Sequence, residues 1–67
     1  MRIRLNGEWR ETEAATVAQL LETLGLPLGR KGTAVAVNET VAPRHRWPSI
    51  PLRENDRVEI IRAAQGG

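Results

Sequence analysis

The chain has 67 residues, 40% of them hydrophobic, with a net charge of +2, no cysteine and a single histidine, His45. That length allows one small domain, which buries only roughly 60% of its unfolded surface. A disulfide framework and a structural zinc site are both excluded, so stability has to come from apolar packing.

The pI of about 10.5 overstates the basic character at neutral pH. Nine of the ten basic residues are arginines, which stay charged far above pH 7. The surface is therefore a mixed, solvated one. No apolar run has the length of a signal peptide or a membrane helix, which points to the cytoplasm.

Arg2 to Leu5 alternates polar and apolar, with Ile3 and Leu5 on one face. Asn6-Gly7 is a strong hairpin signal, and a second strand is predicted from Glu8 to about Thr12, with Trp9 opposite Glu8 and Arg10. A helix follows. Thr16 and Gln19 have capping-box spacing, and Val17, Leu20, Leu21 and Leu24 form one stripe of a 3.6-residue period. Gly25 suits the left-handed position that ends a helix, and Pro27 blocks continuation. Thr33 to Asn38 reads as a strand with Val35 and Val37 on one face and Ala34 and Ala36 on the other. Val41 to Trp47, bounded by Pro43 and Pro48, reads as a short edge strand or irregular segment. Glu54-Asn55-Asp56 marks a turn before a last strand, Arg57 to Arg62. In that strand Val58 and Ile60 face inward, and Ile61 faces outward with Arg57 and Glu59.

A hairpin, a crossing helix and further strands give a two-layer α+β domain. The right-handed crossover rule favours a later strand parallel to the first. The expected organisation is a domain over residues 1–62 and a flexible tail, Ala63-Ala64-Gln65-Gly66-Gly67.

Side chains give little support for catalysis. Ser49 is the only serine, there is no thiol, and the carboxylates sit among arginines as on a solvated face. A domain this small is also expected to offer little concave volume. Leu28-Gly29-Arg30-Lys31-Gly32 lacks the spacing of a phosphate-binding loop and reads as a connector. Arg44-His45-Arg46-Trp47 carries the one weak nucleic-acid signal, but Trp9 and Trp47 both read better as packing residues.

The tail stands apart. Two terminal glycines arise by chance in roughly 0.5% of chains at ordinary glycine usage. Fully extended, five residues reach about 17 Å, and the last two lack a Cβ, so such an arm can enter a narrow channel. Taken alone the tail is equally a frayed end or a cloning remnant.

RIRLNGE at the start, TVAQLLETLGL on the helix, AVAVNETVAPRHRW and the closing RVEIIRAAQGG together resemble the ThiS family, over essentially the full length. These are the sulfur carriers of thiamin thiazole biosynthesis. The chain departs from the family at Asn55, where a glycine is usual, and in the longer basic stretch around Arg30 and Lys31. Asparagine tolerates the left-handed conformation next best after glycine.

The resemblance implies a ubiquitin-like β-grasp, with a mixed sheet of four to five strands packed on one main helix. It also implies that the protein is a substrate of partner enzymes and not a catalyst. An E1-like adenylating enzyme of the ThiF type would use ATP to activate the Gly67 carboxylate, with no cofactor bound permanently to the carrier. Sulfur from a cysteine-desulfurase-derived donor would then displace AMP, and the thiocarboxylate would serve a ThiG-type thiazole synthase. Gly66 would give passage into the partner's site, Gln65 and Ala64 would complete the arm, and Ile61 would be a docking contact. Molybdopterin-type sulfur carriers and protein-conjugating ubiquitin-like modifiers share the Gly-Gly end. A small nucleic-acid-binding β-grasp module is a further alternative.

Overall fold

The computed structural model describes residues 1–26 and 32–62. The elements run β1 (Arg2–Leu5), β2 (Glu8–Glu11), α1 (Val17–Thr23), β3 (Thr33–Val37), β4 (Thr40–Ala42), a 3₁₀ helix (Arg44–Ser49) and β5 (Arg57–Arg62). The strands form one sheet in the order β2-β1-β5-β3-β4. β1 and β5 pair in parallel at the centre, and every other neighbouring pair is antiparallel. This is the expected mixed β-grasp sheet, and the segment after Asn38 divides into an edge strand and a 3₁₀ turn.

The turns follow their residues. Asn6 and Gly7 have φ of 49° and 86°, the left-handed geometry of a tight hairpin. Asn55 has φ of 70°, so asparagine takes over the conformation that glycine would supply. The Asp56 side chain closes the same turn by accepting from the Arg53 N–H at 2.8 Å.

Thr16 caps α1 through its hydroxyl, which accepts from the Gln19 N–H at 3.2 Å. The return bond of the expected capping box is displaced by one residue: the Gln19 side chain accepts from the N–H of Ala15 at 2.7 Å. At the other end, Gly25 (φ 76°) donates to the Glu22 carbonyl and Leu26 to the Leu21 carbonyl. That pair of bonds is a Schellman motif. Pro27, Arg30 and Lys31 lie outside the described residues.

The helix buries Val17, Ala18, Leu20 and Leu21 against Ile3, Val35 and Val58 of the sheet, with Leu24 partly buried at its edge. Full burial of such side chains is worth about 1.5–3 kcal/mol each. Trp47, on the 3₁₀ helix, seals one end of this core at 2% exposure, and its indole N–H donates to the Ala42 carbonyl at 2.7 Å. Leu52 fills in beside it, tied back by its N–H to the Ala15 carbonyl at 2.9 Å. No helix among the described residues is long and apolar enough to cross a membrane.

One packing expectation is overturned. Trp9 is 51% exposed and lies outside the core. It stands opposite Arg4 on the sheet's outward face, while Arg10 stands opposite the buried Ile3. The indole is covered by guanidinium groups instead of helix, with Arg2 4.4 Å and Arg4 5.6 Å from the ring centre.

Candidate functional site: the outward sheet face and the last strand

The helix covers one face of the sheet, and strand alternation decides what the other face presents. On β5, Val58 is buried and Ile60 packs against the core, which turns Arg57, Glu59 and Ile61 outward. Ile61 is 66% exposed, as the alternation predicts.

Its surroundings make it more than a stray apolar residue. Ile61 stands opposite Ala34 on β3, and Ala36, two residues further along, stands opposite Val41 on β4. Val41 is 73% exposed. Ile61, Ala34, Ala36 and Val41 therefore form a shallow apolar strip across three strands. Small residues in its middle keep it flat, and Glu59 lies at its border, opposite Ala36. Arg57 carries an exposed ion pair with Glu39 at 3.8 Å, worth little in stability but adding charge beside the strip.

Val41 was not legible as a surface residue. In Thr40-Val41-Ala42 two adjacent apolar residues compete for the inward position, and only the pairing of Ala42 with Val35 settles it. Of the predicted site residues, Ile61 lies within the structure. Ala64, Gln65, Gly66 and Gly67 lie outside the described residues.

The alternative sites lose ground. Trp47 is buried and bonded to Ala42, so it has no free face on which a base could stack. Ser49 donates its hydroxyl to the Arg46 carbonyl within its own 3₁₀ turn. The glycine-rich segment before Gly32 lies outside the described residues. The expectation of little concave volume does not hold. An open depression of about 760 Å³ lies between the end of β2 and the helix, lined by residues that include Met1, Arg10, Glu13, Gln19 and Leu24. Its lining is mixed and contains no cysteine, serine or histidine.

Comparison with known proteins agrees with this architecture. The sequence profile of the ThiS family matches residues 3–67. The chain is 43% identical over 63 residues to the sulfur carrier protein ThiS of Thermus thermophilus, covering 94% of this chain and 95% of that one. It is 29% identical over 68 residues to the sulfur carrier protein ThiS of Escherichia coli, covering both chains fully. The whole chain also matches a thiazole synthase of Magnetococcus marinus at 34% identity, spanning only 20% of that protein. In three dimensions, the crystal structure of a ThiS protein from Geobacter metallireducens superposes over 100% of both chains, with a TM-score of 0.80 at 24% identity. A profile match that runs from the first strand through the terminal Gly-Gly places this chain in the ThiS family.

Proposed function

We propose that this ThiS-family sulfur carrier of thiamin biosynthesis works through its own C-terminus, with Gly67 as the reacting residue. A carboxylate is a poor electrophile and has to be activated before sulfur can replace one of its oxygens. A ThiF-type adenylating enzyme uses ATP to form the Gly67 acyl-adenylate and releases pyrophosphate. The terminal sulfur of a persulfide, supplied by a cysteine-desulfurase-derived donor, then attacks the acyl carbon and expels AMP. A thiol cleaves the resulting acyl disulfide, becoming part of a disulfide itself and leaving the thiocarboxylate. The protein is on this reading a substrate and carrier, not a catalyst, and its reaction takes place in the cytoplasm.

The observation that carries the proposal is the family match extending through Gly66 and Gly67. The chain's lack of cysteine agrees with it, because the sulfur rides on the terminus and needs no side-chain thiol. A ThiG-type thiazole synthase is the recipient. The match of the whole chain to one fifth of a thiazole synthase supports that pairing, since joining carrier and acceptor in one polypeptide raises their effective concentration.

The apolar strip around Ile61 docks the activating enzyme, and Ala64, Gln65 and Gly66 thread the terminus into its site. β5 carries Ile61 and leads in sequence directly to Gly67, so docking and delivery belong to one strand. ATP–pyrophosphate exchange by a ThiF-type enzyme tests the first step. Exchange that depends on the full chain, and is lost when Gly67 is removed, is the expected result. Exchange that persists without Gly67 would refute activation at this carboxylate.

A further inference from the structure

β1 and β5 pair for only a short distance, with Arg4 beside Arg57 and Leu5 beside Val58. The ladder bonds run from the Arg4 N–H to the Asp56 carbonyl at 2.8 Å and from the Asn6 N–H to the Val58 carbonyl at 2.9 Å. A parallel ladder advances two residues per rung, so Ile60 comes next on β5. β1 has no main chain left to offer it, because Asn6 and Gly7 turn away into β2.

The Asn6 side chain occupies that missing rung. Its Oδ1 accepts from the Ile60 N–H at 2.8 Å, and its Nδ2 donates to the Ile60 carbonyl at 3.3 Å. A primary amide carries the same donor and acceptor as a peptide group, so one side chain replaces one strand residue.

We infer that Asn6 is a positioning residue for activation of the carrier: its amide extends the β1–β5 ladder to Ile60 and so fixes the direction in which β5 delivers the C-terminus. This rests on the carrier reading above. The hairpin turn does not itself require the amide, since a φ of 49° is open to aspartate and glycine as well. Asparagine is the choice that also closes both bonds to Ile60.

That difference provides the test. Asn6→Gly keeps the turn and removes the clasp. Asn6→Asp keeps the turn and the acceptor for the Ile60 N–H, but cannot donate to the Ile60 carbonyl. Adenylation by the ThiF-type enzyme is measured as kcat and KM for the carrier, with hydrogen exchange at the Ile60 amide in parallel. A misdirected terminus lowers the rate of the chemical step, on the order of ten-fold in kcat for Asn6→Gly, with KM for the carrier within about two-fold. Asn6→Asp should fall between Asn6→Gly and the parent chain. Faster Ile60 exchange in Asn6→Gly should accompany the loss.

Faster exchange with unchanged kcat, or a rise in KM alone, would overturn the inference and leave Asn6 a merely structural residue. If Asn6→Gly fails to fold, folded Asn6→Asp decides, and parent-like kcat there overturns the inference. An inert parent chain overturns the carrier reading and this inference together, whereas an active parent with unaffected variants overturns this inference alone.

Discussion

Replacing Ile61 should weaken docking of the adenylating enzyme while leaving the fold intact. The side chain is 66% exposed and shares its face with Ala34, Ala36 and Val41, away from the helix-covered core. Burying an isoleucine completely is worth about 1.5–3 kcal/mol, and two thirds of that gain is left for a partner to collect, about 1–2 kcal/mol. At 1.4 kcal/mol per ten-fold, Ile61→Ala should weaken binding by about 5–30-fold. Ile61→Glu should cost more, because it also carries a charge into an apolar contact. Folding should change by less than about 1 kcal/mol, the span of strand propensity at an exposed position. Calorimetric titration with the adenylating enzyme, alongside thermal melting of each variant, reads both quantities. Unchanged affinity in a folded Ile61→Glu variant would refute the docking assignment. Global unfolding would refute the placement of Ile61 outside the core.

Two further predictions concern stability. Trp47→Phe keeps a ring in the core but removes the indole bond to the Ala42 carbonyl, which stays in the β3–β4 ladder opposite Val35; the net worth of one such bond is about 0.5–1.5 kcal/mol. For a domain of this size that is a fall in Tm of roughly 2–12 °C, and a shift below about 1 °C would show that the bond contributes little. Asn55 holds φ of 70°, so Asn55→Ala should destabilise by about 1–2 kcal/mol while Asn55→Gly stays near the parent. Equal losses in the two variants by urea unfolding would mean that the asparagine side chain, not its backbone conformation, matters there.

Much of the fold was legible because its signals are local. The stripe from Val17 to Leu24, the glycine after it and the hairpin at Asn6-Gly7 each depend on residues a few positions apart. The outward direction of Ile61 was legible for a related reason: Val58 and Ile60 fix the parity of β5 from within the same strand. Trp9 misled because β2 is an edge strand whose four residues are all exposed, so no buried residue sets its parity and the inward position falls to Arg10. There an indole can be stabilised by arginine stacking as readily as by core packing. The bonds from Asn6 to Ile60 span 54 residues and depend on where β1 stops, which periodicity does not encode. Val41 joined the apolar strip only through its pairing with Ala36 across two strands.

The central claim is that sulfur is carried on the carboxylate of Gly67. Its most direct test is the intact mass of the chain after incubation with ATP, a ThiF-type adenylating enzyme, a persulfide sulfur donor and a thiol reductant, beside a chain lacking Gly67. The account predicts a gain equal to the exchange of one oxygen for sulfur, confined to the full chain. No gain with an enzyme that loads another carrier under the same conditions, or the same gain in the truncated chain, would contradict it.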